Sequence, residues 1–262
     1  MNRDSSYRQK WIFHLDRSVC LFYSWTILRL TIGGDRMKKT SVIIAGSSGL
    51  VGSEVLKLLL NDDRTEHVYS VSRRLLECAQ TEQTKLTQII SPDLHIQKEQ
   101  FDITPSIGVI ALGSTVKQAG SKEKLRDIDV HLVVETAQKM KSIGVSRVLI
   151  LSCLGADEQS RSHYLRCKGE MERKVMLLGF HETIFIQPGP LAGERSETRI
   201  DEKLLQFLSK LVKPLMRGKL SNYVPIQASS VASALAELIH LDSLKSVERI
   251  SSSYMMKMIN RS

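Results

Sequence analysis

Tyr164 and Lys168 are four residues apart, a spacing that puts both side chains on one face of a helix, one turn from each other. A phenol with an ordinary pKa of about 10 is a poor acid or base at neutral pH, and a neighbouring ammonium group lowers that barrier by stabilising the phenolate. Ser152 follows Arg147-Val-Leu-Ile-Leu151, a predicted strand whose carboxyl end lies at the edge of an open sheet where ligands collect. Together these three residues suit hydride chemistry at a carbonyl. Tyr164 would protonate the substrate oxygen, Ser152 would hold it, and Lys168 would tune Tyr164 and bind the nicotinamide ribose. The competing reading is inert: a surface tyrosine and lysine on an amphipathic helix.

Gly46, Gly49 and Gly52 complement that chemistry. They follow the β-branched run Val42-Ile-Ile44 and precede an apolar helical repeat at Leu50, Val51, Val55, Leu58 and Leu59. Strand, spaced glycines and helix in this order form a dinucleotide-binding turn: Gly46 permits the bend, Gly49 keeps side-chain atoms away from a pyrophosphate, and Gly52 lets the helix close on the strand. The phosphates then meet free N–H groups at the helix N-terminus. At the end of the second predicted strand, where a carboxylate would bind the ribose of NAD, the chain has Ser72-Arg73-Arg74. Paired guanidinium groups suit the extra phosphate of NADP and can stack on adenine.

The elements that must position these residues alternate between strand and helix. Predicted strands cover His67–Val71, Leu86–Ile90, His95–Ile96, Gly108–Leu112, Arg147–Leu151 and Glu182–Ile186. A long helix is expected from about Ser121 to Ile143, stopped by Gly144 in a left-handed cap. The next helix is capped by Ser160 or Ser162 and ended by Gly179. Two more are expected, Asp201–Met216, with its last turn disturbed by Pro214, and Ser229–Ile239. This alternation predicts an α/β fold, a Rossmann-type doubly wound parallel sheet with helices on both faces and a small C-terminal substrate-side region.

The chain has 262 residues, and its 42% hydrophobic and 25% charged composition suits one sizeable core. Residues 37–262 are expected to form a single nucleotide-binding domain with C-terminal lid helices. The net charge of +9 is dispersed, without a long basic block, which argues against nucleic acid and fits a basic surface that draws in a phosphorylated cofactor. Cys20, Cys78, Cys153 and Cys167 form neither a CxxC pair nor a zinc spacing, so no metal is expected, and a reducing, cytoplasmic setting is. Residues 1–36 contain both tryptophans, Trp11 and Trp25, and end just before Met37-Lys-Lys. They read as an unstructured extension or a misassigned start. The alternative is a transit peptide, given Arg3, Arg8, Lys10, Arg17 and Arg29, with Asp4 and Asp16 counting against it. The apolar stretch Val19–Leu28 falls short of the roughly 20 residues that a spanning helix needs.

Several segments resemble the atypical short-chain dehydrogenases/reductases: Gly46-Ser-Ser-Gly-Leu-Val-Gly52, Ser72-Arg-Arg74, Leu112-Gly-Ser-Thr115, Lys117-Gln-Ala-Gly-Ser-Lys-Glu123, Leu151-Ser-Cys-Leu-Gly-Ala-Asp157 and Tyr164-Leu-Arg-Cys-Lys-Gly-Glu-Met-Glu172. More narrowly, they resemble the HIV Tat-interactive protein-like group and its bacterial and fungal relatives. The resemblance spans about Met37 to Ile239. It implies a Rossmann fold, NADP(H) binding and a Ser/Tyr/Lys site, with cofactor roles for Gly46, Ser48, Gly49, Leu50, Gly52, Arg73, Arg74, Leu112, Gly113, Tyr164 and Lys168. It also implies that the turn Pro188-Gly-Pro-Leu191 lies by the nicotinamide and that Arg199 reaches the cofactor side of the pocket. Three departures stand out: Gln187 replaces an arginine, Cys153 replaces a second serine, and Pro92–Ile107 is short.

Two function classes follow. The first is an NADPH-dependent reductase of a small carbonyl substrate. The second is an NADPH-binding regulator with little turnover, which needs the glycines and arginines but not the acid. In the Asp201–Met216 helix, an apolar stripe that includes Leu204, Leu205, Leu208 and Leu211 lies beside Lys203, Lys210 and Lys213. It reads as a lid or subunit contact, with a membrane surface as the alternative. The helices beginning near Ser121 and ending near Gly179 leave a homodimer open.

Overall fold

The computed structural model describes residues 39–76, 84–192, 224–241 and 246–260. The predicted segment 1–36, the Asp201–Met216 helix, Arg199, Cys20 and Cys78 lie outside the described residues. Seven strands form one sheet in the order β3-β2-β1-β4-β5-β6-β9, and every pairing is parallel. They are β1 (Thr40–Ala45), β2 (Thr65–Ser72), β3 (Leu86–Ile90), β4 (Ile107–Ile110), β5 (Arg147–Leu151), β6 (Glu182–Gln187) and β9 (Val247–Ser251). Two-residue strands β7 (Leu191–Ala192) and β8 (Ile226–Gln227) pair apart from it. The fold is the Rossmann-type doubly wound sheet that the strand and helix alternation predicts. Strand order reverses between β1 and β4, which opens a crevice beyond their carboxyl ends.

Period-two alternation divides the core. Val42 and Ile44 of β1 face one layer, packed with α1 (Leu50–Leu60) and the later helix Ala228–His240, whereas Ile43 and Ala45 face the other. That second layer holds Val133, Ala137 and Met140 of the helix before β5, and Met171 and Val175 of the helix after it. Both faces of the sheet are therefore dry, as an all-parallel sheet requires. On α1, Val51, Val55 and Leu59 are buried as expected, but Leu58 is 39% exposed. Leu56 and Leu60 take the inner face instead, because the stripe drifts with the helical period.

Several boundaries differ from the sequence expectation. His95–Ile96 is not a strand: Ser91 turns the chain there, its carbonyl accepting from Leu94 N and its hydroxyl from His95 N. Leu94 and Ile96 are tucked under the sheet edge while His95 stays exposed. β4 ends at Ile110, two residues early, because Ala111 packs its carbonyl against Gly46 and the chain then leaves the sheet. The short helix α2 (Val116–Ala119) comes first. The long helix then covers the expected span as α3 (Lys122–Arg126), a π-helical turn (Asp127–Leu132) and α4 (Val133–Ser142), the π turn being the departure from a regular α-helix. Gly144 does adopt a left-handed conformation after α4, with φ +107°. α5 (His163–Met176) follows Ser162, which makes no side-chain cap bond. α6 (Ala228–His240) is close to expectation, whereas β9 and α7 (Ser252–Ile259) have no sequence counterpart.

Gly52 is the tightest joint between the turn and α1. A Cβ there would meet Gly46 O at 2.1 Å and Gly46 C at 2.8 Å, both backbone atoms that cannot swing aside. Gly52→Ala is therefore expected to cost about 3 kcal/mol or more in urea unfolding. A loss below about 1 kcal/mol would show that α1 can separate from the turn without penalty.

Candidate active site

The crevice at the strand reversal is lined by the glycine turn on one side and by the start of the β4–α2 connection on the other. Gly46, with φ +92°, lets the chain fold back against Ala111. Gly49 occupies the cap position of α1 with no side-chain bond, so nothing but backbone faces outward there. The opening N–H groups of α1, at Leu50 and Val51, have no intrahelical acceptor and point their partial charge toward the crevice. Ser47 ties this turn to β2 through a buried 2.6 Å bond between its hydroxyl and that of Ser70.

A groove of about 530 Å³ continues from the turn, lined in part by Gly46, Ser48, Arg73, Leu112 and Gly113. Arg73 lines this groove; Arg74 is exposed next in the chain, and Ser72 Oγ donates to the Arg74 carbonyl, shaping the bend after β2. The groove also takes in Gln118, from the Lys117–Glu123 segment, and Leu94, Lys124 and Asp127, which did not stand out in the sequence. Leu94 has φ +49°, a strained conformation for a leucine, and its side chain is buried at the groove's end.

Gly113 joins the groove to the second half of the site. A Cβ there would lie 3.2 Å from Asp129 Oδ1 and 3.3 Å from Lys168 Nζ. Those two groups form an ion pair of 2.6 Å, with Asp129 fully buried and Lys168 2% exposed. Asp129 Oδ2 also accepts from Ser114 N at 3.2 Å, and Lys168 Nζ donates to Leu151 O at 3.4 Å. Asp129 belongs to the π-helical turn, a feature that often marks functional positions. It was missed in the sequence, although a signal existed: Leu125, Asp129, Val133 and Ala137 recur every four residues, and the carboxylate falls inside an otherwise apolar stripe.

The predicted trio is only partly assembled as expected. Tyr164 and Lys168 lie on α5. Burial pushes the Cys153 thiol up to about 11, with the Lys168 charge opposing and the Glu172 charge adding to the rise. Ser152 is turned to a different partner: its hydroxyl donates to Glu172 Oε1 at 2.5 Å. Glu172, one further turn along α5, also accepts from Gln187 Nε2 and from Arg249 Nε, each at 2.8 Å. Arg249 lies on β9 and rests over the Phe185 ring, 5.5 Å from its centre. α5 can bring these charges to the sheet edge because Gly169 is bare. A Cβ there would come within 2.2 Å of the Asp157–Glu158 backbone. Leu191 stands on β7, 39% exposed. Among the described residues, no group of three or more His, Cys, Asp or Glu could hold a metal ion, and no helix is long and apolar enough to cross a membrane.

No protein-family model matches the chain. A protein of Aspergillus fumigatus named "Protein fmp52, mitochondrial" is 34% identical over 182 residues, covering 68% of this chain and 78% of its own. Its namesake from Emericella nidulans is 35% identical over 173 residues, 64% of this chain and 74% of the relative. That from Lodderomyces elongisporus is 33% identical over 166 residues, 61% and 70%. These names point to the mitochondrion and correct the cytoplasmic expectation, which rested only on cysteine spacing. A putative NAD-dependent epimerase/dehydratase from Bacillus halodurans superposes with TM-score 0.56 at 17% identity, over 85% of this chain and 100% of that one. The Bordetella bronchiseptica enzyme WbmG, solved with NAD, superposes with TM-score 0.56 at 13% identity, over 86% and 77%. At such identities the likeness establishes the fold, that of short-chain dehydrogenase/reductase and epimerase/dehydratase proteins.

The Lys168–Asp129 pair makes a direct prediction. Asp129→Ala leaves a buried ammonium without its counter-charge and is expected to cost about 3–5 kcal/mol. Asp129→Ala combined with Lys168→Met should recover most of that loss in chemical denaturation. A double variant no more stable than Asp129→Ala would mean that the pair is not coupled.

Proposed function

This chain belongs to the Fmp52 family, and from that premise we propose that it is an NADPH-dependent oxidoreductase reducing a carbonyl or related small substrate in the mitochondrion. The family's mitochondrial names support the location, and the basic, serine-containing residues 1–36 fit a transit peptide. The segments Leu151–Asp157 and Tyr164–Glu172 support a place beside the HIV Tat-interactive protein-like group of atypical short-chain dehydrogenases/reductases.

The observation that carries the reading is the position of Gly113. It lines the groove that holds Arg73 and also touches the Lys168–Asp129 pair, so an elongated ligand lying past the glycine turn reaches from one to the other. The residues fit a dinucleotide. The bare Gly46–Gly52 turn and the opening amides of α1 suit a pyrophosphate, and Arg73 with Arg74 suits a ribose 2′-phosphate. Ser48 and Leu50 would border the cofactor at the glycine turn, Leu112 and Gly113 its adenosine ribose, and Leu191 the nicotinamide side.

A reduced nicotinamide, when bound, supplies the hydride that adds to an electrophilic carbon. Tyr164 hands its phenolic proton to the carbonyl oxygen, so that the product leaves as an alcohol and a phenolate remains. Lys168 offsets that phenolate charge and orients the nicotinamide ribose. Asp129 holds the Lys168 ammonium in place without solvent and keeps the buried site close to electrical balance. The second reading, a cofactor-binding regulator with little turnover, is favoured by one observation: the Ser152 proton is engaged by Glu172.

Calorimetry with NADPH and NADH, followed by NADPH oxidation over a panel of aldehydes and ketones, tests both readings. NADPH is expected to bind more tightly, Arg73→Glu should reduce NADPH affinity by about tenfold or more while sparing NADH, and Tyr164→Phe should abolish turnover. Tight binding with no turnover on any substrate would favour the regulator. No binding of either coenzyme would overturn both.

A further inference from the structure

The ends of β5 and β6 lie next to the Lys168–Asp129 pair. Lys168 Nζ, beside Gly113, donates to Leu151 O, the last carbonyl of β5. Beyond it Ser152 N donates to Ile186 O at 2.8 Å and Leu154 N to Pro188 O at 2.9 Å, so the chain leaving β5 lies directly against the turn Pro188-Gly-Pro-Leu191 that leaves β6. Pro188 and Pro190 have no N–H to donate, and Gly189 between them carries no side chain. The position of this turn is therefore decided by the partners that its remaining N–H and carbonyl groups find elsewhere.

Gly189 N donates to Ser252 Oγ at 2.8 Å, and Ser252, the first residue of α7, is only 3% exposed. Pro190 O accepts from Ile226 N at 3.0 Å, where β7 pairs with β8. The stretch that supplies Ser252 also supplies Arg249. Register sets Arg249 across from Phe185, and alternation along β9 turns its guanidinium toward the α5 side of the sheet, over the Phe185 ring. There Arg249 Nε donates to Glu172 Oε2 at 2.8 Å, while Glu172 Oε1 accepts from Ser152 Oγ and from Gln187 Nε2. A carboxylate this deeply buried keeps its charge only with a cation beside it, and that charge is what makes its bond to Ser152 strong.

Resting on the coenzyme reading above, we infer that Arg249 and Ser252 are positioning residues for the reacting end of the site: Ser252 fixes the turn after β6 through the Gly189 amide, and Arg249 fixes the end of β5 through Glu172 and Ser152. Both act through other residues rather than by contact with the coenzyme. One short segment near the end of the chain thus sets two walls of the same site. The adenosine end does not depend on it. The glycine turn is tied to β2 through Ser47 and Ser70, and the bend that carries Arg73 is shaped by Ser72. Sheet order makes the separation, because β9 pairs with β6 at the opposite edge from β2 and β3.

The test needs no substrate. Binding of NADPH and of adenosine 2′,5′-bisphosphate, the coenzyme's adenosine half, is compared by calorimetry, with the nicotinamide fluorescence of bound NADPH read on the same samples. Ser252→Ala is expected to weaken NADPH about tenfold and to cut its fluorescence enhancement, while the bisphosphate binds as it does to the parent. Arg249→Met should lower the fluorescence enhancement in the same way, and Arg249→Lys, which keeps the cation, should restore it. Unchanged bisphosphate binding shows in each case that the variant is folded. If the parent binds both ligands and NADPH is indifferent to either substitution, the role of that residue is overturned while the coenzyme reading stands. Equal weakening of both ligands overturns it too, since the segment would then serve the fold as a whole. A parent that binds neither ligand overturns the coenzyme reading and this inference with it.

Discussion

The Lys168–Asp129 contact is the constraint around which the chemical end of this molecule is arranged. Two opposite charges with almost no exposure must sit together, because either alone would be costly in that environment. Meeting that requirement fixes α5 against the helix before β5, and the π-helical turn is the means by which Asp129 is brought inward. Gly113 is bare because any side chain would press on the pair, and that leaves backbone facing the groove. The Tyr164 phenol, one turn before Lys168, is thereby carried to the same sheet edge as the glycine turn. A second buried carboxylate, Glu172, lies one turn beyond and is balanced by Arg249. Tyr164, Lys168 and Glu172 thus recur every four residues along a helix whose Met171 and Val175 pack into the core.

Local patterns were legible in the sequence where local physics decides them. The run from Val42 to Leu59 reads correctly as strand, turn and helix because β-branched residues, spaced glycines and a helical repeat follow within twenty residues. The left-handed Gly144 was legible for the same reason. Interruptions that depend on distant partners were not. No glycine or proline marks the π-helical turn within the Ser121–Ile143 helix, which goes with the burial of Asp129 against a lysine on another helix. β9, Val247-Glu-Arg-Ile-Ser251, carries two charges in five residues and lacks alternation, because it is an edge strand and its arginine is needed elsewhere.

The candidate site was legible by residue type more than by role. Tyr164, Lys168, Arg73 and Gly113 were marked by spacing and by resemblance, and the structure places Arg73 and Gly113 along one groove with the Lys168 ammonium beside Gly113. Ser152 was assigned by its place at a strand end, a criterion that its neighbour Cys153 satisfies almost equally. The structure turns the Ser152 hydroxyl to Glu172, an acid that the helical pattern alone leaves on no particular face. Likewise, Gln187, which stands where the resembled family has an arginine, is seen to donate to that same carboxylate.

The lateness of β9 has a consequence for biosynthesis. Its pairing with β6 covers the last open edge of the sheet's central region and delivers Arg249 to Glu172. A nascent chain that had yet to emerge through Ser251 would leave β6, with Ile184, Phe185 and Ile186, as an unpaired apolar border. In that interval Glu172 would lack its guanidinium and the β5 terminus its anchor. Completion of the Glu172 cluster is therefore coupled to synthesis through Ser251, and fragments truncated before this strand would emerge with an unpaired apolar border.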